Sequence, residues 1–239
     1  MQTLVTQNDL KSLDASARKT RKSPSIKNVH ELRVLIRRVR SQLWLIPKEQ
    51  RTRAIKKARR DLKKIASLLG EQRKYDVAIT DAQELGLAVA SLRKERERAR
   101  LRIPPALKGR KRDRVRKQIR EAIRDTNRLS SSTLIPRIER LRKELEGGLP
   151  KSQTDRHQLR ISVKRARYVL KRFGYNPKSL HELQDLLGRW QDLATLGDLI
   201  GPHPRVTRAL NAQWKRLKPH VKPALATASR ALKRLSSTL

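Results

Sequence analysis

The sequence predicts an all-α fold, and three observations carry that prediction. Strand signals are missing: the chain has no run of alternating β-branched residues and neither an Asn-Gly nor an Asp-Gly turn. Leu, Ala, Arg, Lys and Gln dominate, and all five favour helix. Apolar residues are only 36% of the chain, yet they recur at three- and four-residue spacing, the period of an amphipathic helix. With 239 residues, the chain is long enough for one large domain or two small ones.

Taken in order, residues 1–25 read as a frayed basic tail. A first helix is expected from Lys27 to Ile46, where Pro47 interrupts and can open the next helix at its first turn. That second helix runs to Leu69, with Gly70 as its stop. A third segment covers Lys74 to Arg102, bent near Gly86, and PPALKG (104–109) is a turn. A long helix follows from Lys111 into the 130s, where SSST (130–133) and Pro136 predict a kink or break. GGLP (147–150) is the clearest domain boundary. Beyond it, helices are expected near 154–173, 179–199, 204–217 and 220–236, separated by Asn176-Pro177, Gly201-Pro202 and Pro219. The domains expected are a tail over 1–25, a first half over 26–148 and a second half over 149–239, each half with about four helices.

Charge narrows the function. Sixty Lys and Arg face 22 Asp and Glu, a formal net charge of +38. So large an excess destabilises a compact chain through self-repulsion, and a bound polyanion relieves it. Residues 1–150 carry 41 basic and 17 acidic side chains, a net of +24; residues 151–239 carry 19 and 5, a net of +14. Both halves are cationic, so a single basic arm does not account for the excess. The absence of cysteine excludes disulfides and thiolate metal sites. The N-terminal residues lack the apolar run of a signal peptide. No stretch reaches the roughly 18 apolar residues of a membrane span. No membrane partner and a cytoplasmic location are therefore expected.

One pattern occurs twice. HELRVLIRRVR (30–40) and HQLRISVKRAR (157–167) place a histidine and four cations at matching positions, 127 residues apart. At about 100° per residue, Val29, Leu32, Ile36, Val39, Leu43 and Ile46 form an apolar stripe, and His30, Arg33, Arg37 and Arg40 a basic one roughly opposite. In the second copy Leu159, Val163, Ala166, Leu170 and Phe173 are the apolar stripe, and His157, Arg160, Lys164 and Arg167 the basic one. Arg38 and Arg165 also match. A charged face is ordinarily only solvated surface. Here the like charges repel at i,i+3 and i,i+4 spacing, with Glu31 and Asp155 the only acids close by. Such repulsion, kept in both copies, points to an anion on the face. Neither histidine has a His, Asp or Glu at i+3 or i+4, so a metal site is not expected. Hydrogen bonding to phosphate oxygens is the better role. A second match, SLLGEQRKYDVA (67–78) with DLLGRWQDLATL (185–196), has glycines 118 residues apart. Its Gly reads as a turn or a close helix approach, and its Asp as the cap of a following helix.

These motifs resemble the CHAD domain, the conserved histidine α-helical domain, over about residues 25–237. The resemblance rests on H-x-L-R-x-x-x-[RK]-R-x-R, present twice and followed each time by a Leu-Gly segment. It implies two four-helix bundles related by pseudo-twofold symmetry, whose His/Arg helices line a central basic cleft. The implied ligand is inorganic polyphosphate, and the implied setting is the polyphosphate granule. Carried over residue by residue, the polyphosphate-binding set is His30, Arg33, Arg37, Arg38 and Arg40 with His157, Arg160, Lys164, Arg165 and Arg167. Some members of the family carry a triphosphatase domain with an E-x-E-x-K motif, and nothing here resembles that motif. Where the family often has Arg-Asp after the first Leu-Gly, this chain has Arg73-Lys74, and no site is assigned to them.

A second tier comes from the next helix. Arg53, Lys57, Arg60 and Lys64 lie opposite Ile55, Ala58, Leu62, Ile65 and Leu69; they either widen the basic surface or are solvated. The mixed-charge runs 93–100 and 108–117 read as solvated. The leading function is polyphosphate binding. The alternative is a helical protein that binds nucleic acid non-specifically, which the charge fits equally well. Aromatic residues at 3% are too few for base-stacking platforms, and no helix-turn-helix or basic zipper is evident. An enzyme is not expected: no catalytic residue, no cofactor and no metal site can be assigned.

Overall fold

The computed structural model describes residues 4–239, apart from the side chain of Lys111. The fold is all-α. Among the described residues there are ten α-helices, one short 3-10 helix and no strand. In chain order they are α1 (Gln7–Lys22), α2 (Ile26–Trp44), α3 (Arg53–Glu84), α4 (Ala90–Leu101), α5 (Ile103–Ala106), α6 (Gly109–Thr126), the 3-10 helix (Ser131–Leu134), α7 (Ile135–Leu145), α8 (Gln153–Arg172), α9 (Lys178–Ile200) and α10 (Pro204–Thr238). No helix among them is long and apolar enough to cross a membrane.

The chain divides into two compact units. One runs to Gln83 and resumes over Leu87–Ser130; the other comprises Glu84–Gly86 and Ser131–Leu239. The division falls after Ser130, not at GGLP. GGLP still ends a helix: α7 closes at Leu145, and Gly148 takes a positive φ of 77°.

Several local expectations need correction: the helix expected to open at Pro47 opens at Arg53, the expected turn over 104–109 holds most of α5, the helix expected to reach the 130s ends at Thr126, and three further departures are larger. First, the supposed tail forms α1. Thr6 caps it, with the Thr6 hydroxyl accepting from the Asp9 amide at 3.1 Å and the Asp9 carboxylate accepting from the Thr6 amide at 3.0 Å. This reciprocal capping box satisfies amides a helix start leaves orphaned. Leu4, Val5, Leu10 and Leu13 are buried, so apolar burial outweighs the local charge. Second, Gly70 does not stop a helix, because α3 continues for 32 residues. The break falls at Gly86, where φ is +64° and a side chain would be strained. Asp76 therefore lies inside α3 and caps nothing. Third, Pro219 does not separate two helices: α10 runs through Pro219 and Pro223 for 35 residues. Both prolines are exposed, so water can reach the carbonyls their missing N–H groups leave unpaired.

In the first unit the turn between α1 and α2 is held by polar side chains. The Thr20 hydroxyl donates to the Asn28 carbonyl at 3.1 Å, Asn28 donates to the Ser23 carbonyl at 2.7 Å, and Gln72 from α3 donates to the Pro24 carbonyl at 3.0 Å. The apolar stripe expected of α2 is buried in full: Val29, Leu32, Ile36, Val39, Leu43 and Ile46 are each at most 1% exposed.

In the second unit α7, α8, α9 and α10 share a core that includes Leu141, Val163, Leu183, Leu187, Leu217 and Val221. Leu159, Val163, Ala166 and Leu170 are buried as the stripe predicts; Phe173 is only half-buried. α8 ends in a Schellman turn. Gly174 has φ +85°, the Tyr175 amide donates to Leu170 at 2.9 Å, and the Gly174 amide donates to Lys171 at 3.3 Å.

Candidate polyanion-binding ridges

Both His/Arg helices start from a serine cap. The Ser25 hydroxyl accepts from the Asn28 amide at 3.3 Å, and the Ser152 hydroxyl accepts from the Asp155 amide at 3.0 Å. Asp155 closes a capping box by accepting from the Ser152 amide at 2.9 Å. These hydrogen bonds hold its carboxyl below the usual carboxylate range. Its charge therefore belongs to the cap and not to the basic face. Ser25 and Ser152 are 127 residues apart, the same offset as the histidines. Each cap thus starts its helix in the same register, and His30 and His157 are each the fifth helical residue.

On α2 the stripe of His30, Arg33, Arg37 and Arg40 rises over about 15 Å at 1.5 Å per residue. His30 is exposed, and the three arginines are half-buried. The Arg33 guanidinium donates to the Ala66 carbonyl of α3 at 3.2 Å and passes directly over Gly70. A Cβ at Gly70 would lie 2.7 Å from Arg33 Nη1. The glycine is there to let the guanidinium through, which gives the Leu-Leu-Gly element of this half its physical meaning.

Partial burial pushes the His30 imidazole below its ordinary pKa, followed by Arg73, Arg37 and Arg33; only Glu31 opposes them. Burial, and then Arg37, pull the Arg40 guanidinium below its usual value. Neither Arg37 nor Arg40 has an acidic partner among the described residues. The helix end is itself secured by cations. Arg51 donates to the Trp44 carbonyl at 3.4 Å, and Arg59 to the Leu43 carbonyl at 2.9 Å. These are the C-terminal carbonyls that a helix leaves unpaired.

On α8 the stripe has different neighbours. His157 Nδ1 stands 2.8 Å from Gln191 Oε1. With its proton on Nδ1 the ring donates to that carbonyl, and Nε2 can give a hydrogen bond to an anion only after a second proton arrives. Arg160 lies 3.9 Å from the Asp192 carboxylate. Arg167 stacks on Tyr168, 5.4 Å from the ring centre. Lys164 is half-buried. Gly188, the counterpart of Gly70, has nothing among the described residues within 4 Å of an added Cβ.

Arg38 and Arg165 match across the repeat but stand about 80° from the histidine at 100° per residue. Each grips an acid on another helix. Arg38 bonds Asp9 of α1 at 2.8 Å, and Arg165 bonds Glu144 of α7 at 3.2 Å. Their guanidiniums clasp the fold and are not presented with the ridge. In the second tier, Arg60 lies 3.4 Å from Asp61, whereas Arg53 and Lys64 are exposed and Lys57 half-buried. Arg73, left unassigned above, faces His30 and is the cation that the sequence reading missed. Its signal was available: it lies three residues past Gly70, as Gln191 does past Gly188. Among the described residues no group of three His, Asp or Glu could hold a metal ion.

A family model described as the CHAD domain matches residues 5–201. The chain belongs to the CHAD-domain family. A CHAD domain from the plant Ricinus communis has a similar crystal structure, with a TM-score of 0.63 and 22% identity over 95% of this chain and 88% of that one. PptA from Streptomyces chartreusis is similar at a TM-score of 0.61 and 14% identity, covering 98% of this chain and 97% of that one. At these identities the likeness concerns the CHAD fold alone. No curated protein sequence matches the chain significantly.

Proposed function

We propose that this CHAD-domain protein binds inorganic polyphosphate through the α2 and α8 ridges, acting as a binding module and not as an enzyme. The observation that carries the proposal is the uncompensated charge on α2: among the described residues Arg37 and Arg40 lack an acid, and His30 faces Arg33, Arg37 and Arg73. Such repulsion is relieved by a ligand with closely spaced negative charge. Arg offers forked donors to phosphate oxygens and stays charged. A row of about 15 Å spans several linked phosphates and needs no base to read. Family membership supports the same ligand, and docking onto polyphosphate granules is the cellular role that follows from it.

The test is a titration of long-chain polyphosphate into the double variant Arg37→Glu, Lys164→Glu at fixed salt. Binding should be lost while the helical circular dichroism and its melting are kept. Wild-type affinity in that folded variant would refute the proposal.

A further inference from the structure

α10 carries a second cationic surface, and its residues lie beyond the 5–201 matched by the family model. The helix holds nine Lys and Arg and no Asp or Glu. Its buried side is apolar, with Val206, Leu217, Val221, Leu225, Leu232 and Leu235. At 100° per residue these occupy one arc, and Arg208, Lys215, Arg216, Lys222, Lys233 and Arg234 fall on the opposite one. All six are exposed. None has an acidic partner among the described residues. The acids of α7 and its C-cap pair with other arginines: Glu139 and Glu146 accept from Arg142 and also from Ser236 and Ser229 of α10, and Glu144 pairs with Arg140 and Arg165. From Arg208 to Arg234 the row extends about 39 Å at 1.5 Å per residue.

We propose that this face of α10 binds the phosphate backbone of duplex nucleic acid, independently of the α2 and α8 ridges. Its length exceeds one turn of B-form DNA, about 34 Å, so a single helix can meet the same duplex at more than one place along its backbone. Single strands fit less well. Their capture uses stacked aromatic rings, and the one aromatic residue of α10, Trp214, is turned to Arg156, 4.0 Å from the ring centre. A lipid surface also fits less well, because interfacial helices insert large apolar side chains. The outward arc of α10 offers only Ala212, Pro219, Pro223 and Ala226 among its cations.

The experiment compares the full chain with two variants. One neutralises the face, with Arg208, Lys215, Lys222 and Lys233 all changed to Gln, a good helix former. The other is the ridge variant Arg37→Glu, Lys164→Glu. Each is titrated with a 30-base-pair duplex and separately with polyphosphate across a salt series. The face variant should bind duplex at least tenfold more weakly. Its log–log salt slope should be shallower by about 3 to 4 at roughly 0.9 per lost phosphate contact. Its polyphosphate affinity should stay within about threefold. The ridge variant should keep duplex binding. Unchanged duplex affinity in the face variant, its melting curve intact, overturns the proposal. So does loss of duplex binding in the ridge variant alone. Loss of binding to phosphatidylserine vesicles, with duplex binding kept, overturns it in favour of a membrane. Failure of polyphosphate to bind the wild-type chain at all would remove the ridge reading and leave this one standing.

Discussion

α2 and α8 begin with the same serine cap, carry histidine at the same helical position and repeat the same cations. They differ in what faces the histidine. His30 meets Arg73, Arg37 and Arg33, whereas His157 is tied to Gln191 and its neighbour Arg160 stands near Asp192. Arg73 and Lys74 occupy the places of Gln191 and Asp192 in the Leu-Leu-Gly segments, so two adjacent differences separate a compensated ridge from an uncompensated one. The duplication preserved the pattern of charge and not its balance. Anion binding should therefore depend more on α2. Arg37→Glu alone should weaken polyphosphate binding about 100-fold, roughly the 3 kcal/mol of a strong charge-assisted hydrogen bond. Lys164→Glu alone should cost about tenfold, from roughly 1.4 kcal/mol. Equal losses, measured by calorimetric titration at one salt concentration, would show that the local imbalance does not matter.

The clasping arginines sharpen the same contrast through stability. Asp9 is 8% exposed and Arg38 is its only cation among the described residues, so Arg38→Ala leaves a buried carboxylate without a countercharge, held by the Thr6 amide and hydroxyl alone. Because Arg38 is itself 41% exposed, the penalty is discounted from the fully buried case to about 2 kcal/mol. Glu144 is 27% exposed and keeps Ser162 and Arg140 when Arg165 is removed. Arg165→Ala should cost about 1 kcal/mol or less. Urea unfolding of both variants checks the order. In neither should polyphosphate affinity fall more than the loss of one distant charge explains.

Much of this was legible in the sequence because periodicity and duplication are properties of a sequence. The apolar stripe of α2 is buried residue for residue, whereas Arg38 and Arg165, counted in the anion-binding set from the sequence, grip acids on other helices. What could not be read was partnership across long separations. Nothing local to Arg38 announces Asp9, and nothing local to Gly70 announces Arg33. The helix ends failed for a related reason. Gly70 and Pro219 are breakers by propensity, but each lies where tertiary context tolerates it, one making way for a guanidinium and the other facing water. α1 was missed because its basic composition outweighed a capping box that Thr6 and Asp9 spell out plainly.

The two glycines give a smaller effect with opposite signs. Gly70→Ala puts a methyl 2.7 Å from Arg33 Nη1, and the guanidinium, as the free end of a flexible chain, gives way. Polyphosphate affinity should fall a few-fold, by about 1 kcal/mol or less, the worth of one positioned hydrogen bond. Gly188→Ala meets nothing among the described residues within 4 Å. It should leave affinity alone and raise stability by up to about 1 kcal/mol, the helix-propensity difference between Gly and Ala. Matched melting curves and titrations decide it; a binding defect at Gly188, or none at Gly70, removes the reason given for the glycine.

The weakest effect expected is that of pH. A bound phosphate favours the imidazolium form of His30, so binding takes up a proton and affinity rises as pH falls. For His30 the gain accrues between the value raised by bound anion and the free-protein value, which lies below 6.5. In the unliganded fold the sign reverses. A pKa below that of the unfolded chain means that protonation opposes folding, and the cost grows as pH drops below about 6.5. Acid therefore tightens the complex while loosening the empty protein. Between pH 7.5 and 5.5 affinity should rise a few-fold, bounded at about tenfold for each unit that phosphate moves a pKa. Arg73→Gln removes the second-largest cause of the lowering, so the His30 resonance should titrate at higher pH in that variant. The variant carrying Asn at both 30 and 157 should show a flat profile. A pH dependence that persists unchanged there would assign the protons to other groups and leave the histidines as spacers on the ridge.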